Sequence, residues 1–384
     1  MLSSTVPALA ACGATSSPTV ANVIGPIFQT PTQGWLATLT TSGSGPLNAE
    51  DCRFTIWHST SRGQAWSAVT PPKADGNLPC LGDAGQALTG AAFLSARRAW
   101  VPVVAGNSAN GAPTSTIWQT SDSGQSWARL ATIAGGLSYL TMLNQTNGFD
   151  YVSVTGNSGH PGQGMRLLST QDGGRSWKQV AEAGPGLTTA PGLNARCIPN
   201  GAAWALPSTG ILVGSCLTGG SPPYVYRSNN GGVSWSLSAI PIPTALKGAS
   251  ATSCACTTSL PVMYGSGDGL AQLASSTGPG DFVLITADAG QSWRAVSLPD
   301  GYSVVQFVSF RTWLVGNGRT LRWTRDGGQT WSVMRSNVAF PFQTSFVFVN
   351  AATGWAVTRA NTWRGTTMRV TTDSGRRWAP LPLP

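Results

Sequence analysis

The octapeptide TRDGGQTW (Thr324–Trp331) decides the fold because it does not occur alone. TSDSGQSW (Thr120–Trp127), TQDGGRSW (Thr170–Trp177), SNNGGVSW (Ser228–Trp235), TADAGQSW (Thr286–Trp293) and TTDSGRRW (Thr371–Trp378) repeat it, and STSRGQAW (Ser59–Trp66) is a weaker copy. All seven conform to Ser/Thr-x-Asp-x-Gly-x-x-Trp once Ser61 and Asn230 are admitted in place of Asp. A unit recurring through a chain marks a repeat architecture.

Each residue type in this box has a physical reason to be there. A carboxylate entering a turn accepts the turn's own N–H groups, a closure that Asn and Ser imitate. Asp122, Asp172, Asp288, Asp326 and Asp373 fill that role, with Ser61 and Asn230 as stand-ins. The glycine supplies the positive φ of a tight hairpin. The closing indole (Trp66, Trp127, Trp177, Trp235, Trp293, Trp331, Trp378) carries a large apolar surface into the next strand, where it covers the join to a neighbouring unit. Upstream by 18 to 31 residues lies an apolar strand expected to open on Trp35, Trp100, Phe149, Trp204, Tyr264, Trp313 or Trp355. A further apolar strand precedes it, and a short one follows the box. The unit is therefore four strands, A to D, with the box at the C–D turn. One such sheet cannot bury its faces, whereas radial stacking of several does so.

Composition agrees. Gly (47), Pro (26) and Trp (16) are abundant and charged residues make up 10%, against about 25% in an average soluble domain. Short apolar runs alternate with Gly, Asn, Ser and Pro clusters, the mark of many short strands. The fold class is all-β, a seven-bladed β-propeller of four-stranded antiparallel blades. It occupies residues 20–384, with blades near 20–70, 85–133, 134–183, 184–242, 243–299, 300–337 and 338–384.

The box, together with GWAV at Gly354–Val357, resembles the Asp-box or BNR-repeat propellers. That superfamily includes sialidases, oligoxyloglucan-hydrolysing glycosidases, sortilin-type receptors and the photosystem II assembly-factor group. The resemblance covers Val20 to Trp378 and is nearest to the assembly-factor group at Trp313–Trp331 and Gly354–Trp378. It implies the fold and, from that group, a non-catalytic binding propeller. The motif itself says little about activity.

Cys12 ends Leu9-Ala10-Ala11-Cys12 and precedes a Ser/Thr/Pro-rich stretch, which resembles a bacterial lipobox. Residues 1–19 read as a leader remnant and tether, and the protein as an envelope lipoprotein or a secreted bacterial one. No Lys or Arg precedes the segment, a departure from the pattern. Cys52, Cys80, Cys197, Cys216, Cys254 and Cys256 remain, an even number suited to a disulfide-forming compartment. A–B and C–D turns share the lower face; B–C and D–A loops share the upper face, where all six cysteines fall. Cys52–Cys80 is the favoured pair, and the other four can pair in three ways. Long upper loops are expected at Pro207–Pro223 and Gly265–Asp281. His58 and His160 read as surface residues, and no metal or other cofactor is expected.

Catalysis fares badly. A sialidase would need an Arg on an early inner strand, and Val20–Thr30 has none. Glutamate is confined to Glu50 and Glu182, and the inner strands carry almost no charge beyond Arg196. A glycosidase needs two carboxylates flanking one bond; the upper-face candidates are Asp51, Asp75, Asp83, Asp268 and Asp281. The net charge of +9 is mostly arginine, present in every repeat and denser from Arg311 to Arg377. No single basic patch marks nucleic acid as a partner. Arg319, Arg335, Arg359 and Arg364 map to upper loops of the last two blades beside Trp363, and Arg and Trp are enriched at interface hot spots. The reading is a monomeric extracytoplasmic scaffold that docks an anionic protein partner there, a membrane protein being one candidate. Its rivals are a carbohydrate-active hydrolase and a purely structural cell-surface protein.

Overall fold

The structure, a computed structural model, describes residues 19–41, 52–71, 90–105, 114–135, 138–154, 164–184, 187, 189–194, 197–216, 224–238, 240–246, 256–265, 267–275, 280–341, 344–358 and 366–384. Seven antiparallel sheets follow one another along the chain, each built from consecutive strands in the order A-B-C-D. Blade 1 comprises Thr19–Phe28, Gly34–Thr41, Cys52–Ser59 and Ser67–Ala68. Blade 6 comprises Ser303–Phe307, Trp313–Gly316, Leu321–Thr324 and Ser332–Val333, and blade 7 comprises Thr344–Phe348, Gly354–Thr358, Thr367–Thr371 and Ala379–Leu381. Blade 5 has five strands because its strand A is split into Cys256–Thr258 and Val262–Tyr264, both paired with Asp268–Ser275. The architecture is the seven-bladed propeller.

A row of three residues across the bottom of every blade but the sixth explains the repeat. The first residue of the box pairs with a small residue opening strand B: Ser59 with Gly34, Thr120 with Ala99, Thr170 with Gly148, Thr371 with Gly354. Across from that small residue, strand A places a large one: Phe28, Phe93, Met142 and Phe348 respectively. The large side chain lies flat over the small one. A Cβ at Gly34 would stand 2.4 Å from the Phe28 ring, and one at Gly354 would stand 2.3 Å from Phe348. The residue after the glycine then stacks on the next blade: Trp355 lies on Phe28 with ring centroids 3.5 Å apart, and Phe149 lies on Trp204 at 3.3 Å.

The core is distributed rather than central. Seven hydrophobic clusters fill the seven joins between neighbouring blades. Each box Trp packs into the join with the preceding blade, as Trp127 does beside Trp35 and Trp331 beside Trp313. Donors from one blade also reach the fourth box residue of the next. Trp100 Nε1 donates to the Gly173 carbonyl (2.8 Å), Arg227 Nε to Ala289 (3.0 Å) and Trp323 Nε1 to Ser374 (3.3 Å).

The ring closes in the same way. Trp355 Nε1 of blade 7 donates to the Arg62 carbonyl of blade 1 at 3.0 Å. Among the described residues no strand crosses from one sheet to the other, so this seam is a packed join like the other six.

Three expectations need correction. Trp204 and Tyr264 lie on strands A, at Cys197–Leu206 and Val262–Tyr264, and strands B open at Thr209 and Asp268. In blade 4 the aromatic holds the large strand-A position, six residues before Gly210, whereas in blade 5 Met263 holds it, six before Gly269, and Tyr264 pairs with the strand-opening Asp268. The supposed loops Pro207–Pro223 and Gly265–Asp281 accordingly contain the strands Thr209–Cys216 and Asp268–Ser275. His58 is buried, its ring centroid 4.7 Å from that of Trp35, and burial lowers its pKa.

Candidate docking cleft between blades 6 and 7

The box carboxylates are committed to their turns. In blade 2 the Thr120 hydroxyl donates to Asp122 Oδ1 (2.8 Å) and accepts the Gly124 N–H (2.8 Å). Asp122 Oδ1 accepts the Ser126 N–H (2.9 Å), and the Ser126 hydroxyl donates to Oδ2. The Ser126 hydroxyl and N–H hold the Asp122 pKa down at about 2. Asn230 takes the Ser234 N–H at 3.0 Å, and Ser61 Oγ takes the Ala65 N–H at 2.8 Å. The stand-ins perform the same closure.

The upper face differs. Strand D of blade 6 runs up through Met334 into a connector, Val338–Pro341, that leads to strand A of blade 7. Between this connector, the B–C turn of blade 6 and the tops of both strands A opens a cleft of about 590 Å³. Its apolar lining includes Val304, Val305, Leu321, Met334, Phe340 and Phe346. Phe340 and Phe346 meet edge-on at 5.0 Å, and Phe340 meets Trp378 at 5.1 Å, so the aromatic wall is braced from below.

The rim is polar and cationic. Asn317 Oδ1 accepts the N–H groups of Arg319 (3.1 Å) and Thr320 (2.8 Å), and Gly318 takes φ 79°, a turn that leaves Arg319 exposed on the cleft. Arg335 is exposed between Met334 and Ser336, which both line the cleft, though Arg335 does not. Arg322 packs on Tyr302, 4.7 Å from the ring centroid.

Counting by blade sharpens the electrostatics. Residues 301–384 contain ten arginines and no lysine, against two acids, Asp326 and Asp373, a net +8 of the chain's +9. Both acids are box residues. Among the described residues the ion pair within 4.0 Å is Arg166–Glu182 in blade 3, so no described arginine of blades 6 and 7 has a carboxylate at that range.

The remaining expected site residues are placed as follows. Cys52, Cys197 and Cys256 open strands, and Cys216 closes strand B of blade 4, where it is the register partner of Cys197. Asp281 sits on the upper side and accepts Gln272 Nε2 at 2.6 Å, whereas Asp268 follows an A–B turn and belongs to the lower face, a correction. Arg359, Trp363, Arg364, Cys12, Cys80, Cys254, Arg196, His160, Asp51, Asp75, Asp83 and Glu50 lie outside the described residues. The described strands A carry no Asp, Glu, Lys, Arg or His. Sequence reasoning missed the cleft's apolar wall. Its visible signal is Val338-Ala339-Phe340-Pro341, an apolar run in an upper connector where polar residues are the norm.

Comparison with known proteins gives the fold. No protein-family model and no curated protein sequence matches the chain. Among solved structures it is similar to YCF48 bound to D1 peptide, with TM-score 0.52 and 14% identity over 93% of this chain and 95% of that one. It is also similar to a xyloglucanase from Xanthomonas campestris (TM-score 0.54, 13% identity, 95% of this chain and 54% of that one) and to a prolyl endopeptidase (0.57, 10%, 95% and 51%). The chain thus spans about half the length of those two enzymes. These likenesses show the propeller fold.

Proposed function

We propose that the protein is a non-catalytic binding scaffold that docks an acidic protein segment on its upper face, at the cleft between blades 6 and 7. The observation that carries this reading is an apolar cleft with Arg319 on its rim, in the sector that holds nearly all the net charge, with no described carboxylate in ion-pair range of that arginine. An apolar side chain of the partner fills the space beside Phe340 and Phe346, and a carboxylate meets Arg319. Such an arrangement combines a buried anchor with a charged rim. Among the described residues the inner strands carry no charge, which suits a binding channel more than the paired carboxylates of a glycosidase. The fold likeness to a propeller whose structure holds a peptide points the same way.

The scaffold is extracytoplasmic, exported and attached through Cys12. Disulfides on the upper face belong to the same reading. Of the three ways to pair four cysteines, the one joining Cys197 to Cys216 agrees with their backbone register. Counting free thiols in the denatured, unreduced protein tests that pairing, and six free thiols beyond Cys12 would sink it.

The docking test is cross-linked capture from detergent-solubilised membranes, with Arg319→Glu/Arg335→Glu as the comparison. One partner should be captured by the native chain and lost by the variant. Equal capture by both, or turnover of fluorogenic glycosides by the native chain, overturns the reading.

A further inference from the structure

The lower face is electrically lopsided. In blades 6, 7, 1 and 2 its turns carry Arg311, Arg325, Arg376, Arg377, Arg62, Arg97 and Arg98, against the box acids Asp326, Asp373 and Asp122. In blades 3 to 5 the described lower turns carry Arg175 against Asp172 and Asp288, and the adjoining strand ends carry Lys178 and Arg294 against Asp268. One half of the face is cationic and the other is not.

Hydrogen bonds tie the cationic turns together within blades 6 and 2 and join blade 6 to blade 7 and blade 7 to blade 1. The Arg311 carbonyl accepts the Gly327 N–H in the blade 6 box (2.9 Å), and Arg325 Nη2 donates to Ser374 Oγ in the blade 7 box (3.2 Å). Trp355 ties blade 7 to Arg62 in the blade 1 box, and the Arg97 carbonyl accepts the Ser123 N–H in the blade 2 box (2.9 Å). Arg97, Arg311, Arg325, Arg376 and Arg377 are exposed. The turns are built alike and stand at the same end of their blades, so their exposed guanidinium groups share one face.

From this array we propose that the lower face of blades 6, 7, 1 and 2 docks on a bilayer surface rich in anionic phospholipid. Exposed guanidinium groups spread over four blades of one face suit a lattice of phosphates that can rearrange laterally. A single-stranded nucleic acid would call for a groove and stacking rings. Among the described residues the exposed large hydrophobics are Tyr139, Leu206, Val233, Leu237, Leu260, Val262 and Val333, and no aromatic among them belongs to a cationic turn. This surface is opposite the cleft, so both can be occupied together.

The test is sedimentation of the purified full chain with vesicles, at low ionic strength. Phosphatidylcholine vesicles containing about 30% phosphatidylglycerol should carry the protein down, and pure phosphatidylcholine vesicles should not. Arg311→Gln/Arg325→Gln/Arg376→Gln should weaken that binding by roughly a hundredfold, at about fivefold per arginine. Arg319→Gln/Arg335→Gln, on the upper face, should leave it unchanged. If the triple variant loses its fold by circular dichroism, Arg311→Gln and Arg376→Gln singly should each give the fivefold step. Absence of binding to the anionic vesicles overturns the proposal, as does undiminished binding by folded lower-face variants. So does displacement from the vesicles by single-stranded DNA at matched phosphate concentration.

Discussion

Blades 6 and 7 end in the same box yet fill their joins from opposite sides. In blade 7 the strand-B pair is Gly354-Trp355: the glycine lies beneath Phe348 and the indole projects onto blade 1. In blade 6 the pair is Trp313-Leu314, with Trp313 in the glycine position opposite Thr324. Successive residues of a strand point to opposite faces, so Trp313 packs back toward blade 5, edge-on to Phe307 at 5.8 Å. There it meets Leu270, a smaller residue than the Trp that blades 1, 2 and 7 supply at that position. One join receives its indole from the blade before and another from the blade after. The box specifies a turn, while the content of a join is a property of two blades together.

The join between blades 6 and 7 shows the consequence. It lacks a strand-B indole, because Leu314 stands on one side and Gly354 on the other. Trp323, from strand C, takes over the lower part, edge-on to Phe348 at 4.8 Å and donating to Ser374. The upper part of the same join is where the cleft opens.

Four measurements bear on this comparison. Gly354→Val should be the most damaging, because its Cβ has no room beneath Phe348; we expect more than about 3 kcal/mol of lost stability or no soluble protein. Trp313→Gly should cost about 3–5 kcal/mol, the range for deleting a fully buried large aromatic. Adding Leu270→Trp to that variant should recover part of the loss by supplying the indole from blade 5. Lack of any recovery in denaturant melts would break the claim that joins are shared.

Hydroxyl deletions come next. Thr324→Val and Thr371→Val each strip a donor and leave the Gly328 or Gly375 N–H without its acceptor, at about 1–3 kcal/mol each. Similar losses would affirm that the boxes are equivalent, and a large inequality would not. The smallest effect separates the two carboxylates. Asp326 is held well below the usual range first by the Thr330 hydroxyl, whereas at Asp373 desolvation works against the lowering, and Arg377 at that position supplies its N–H and its charge in place of a hydroxyl. Both folded-state pKa values are depressed, so the stability they contribute is present above the ordinary carboxylate pKa and lost as pH falls. Carboxyl NMR titration should show Asp373 protonating at the higher pH of the two.

Much of the fold was legible because the box is local. Asp122, Gly124 and Trp127 meet within one turn, and sequence spacing carries that information directly. Placing strand B by its aromatic failed at Trp204 and Tyr264, since a ring alone does not say on which side of a turn it stands. A large residue six positions before a glycine, as with Phe28 and Gly34 or Trp204 and Gly210, is the better marker because it encodes the pairing. Of the candidate site, Arg319 and Arg335 were legible as loop cations. The cleft was not, because it arises from what two blades omit. Asp150 was equally hidden. It is fully buried in strand B of blade 3, where desolvation raises its carboxyl to about 7, and no local pattern distinguishes it from a surface residue.

The seam between blades 7 and 1 also governs the order of folding. Blades 1 through 6 can each find a neighbour already adjacent along the chain, so their joins involve short-range closure. The Trp355–Arg62 contact joins positions 293 residues apart. It can form only after the chain has travelled around the whole circumference, when the entropy of closing so long a loop must be overcome in one step. An incomplete chain therefore exposes two unsatisfied blade faces, Phe28 and Leu36 at one end among them, until the last blade arrives to cover them. During synthesis these faces are the sites where a second, equally unfinished ring would insert.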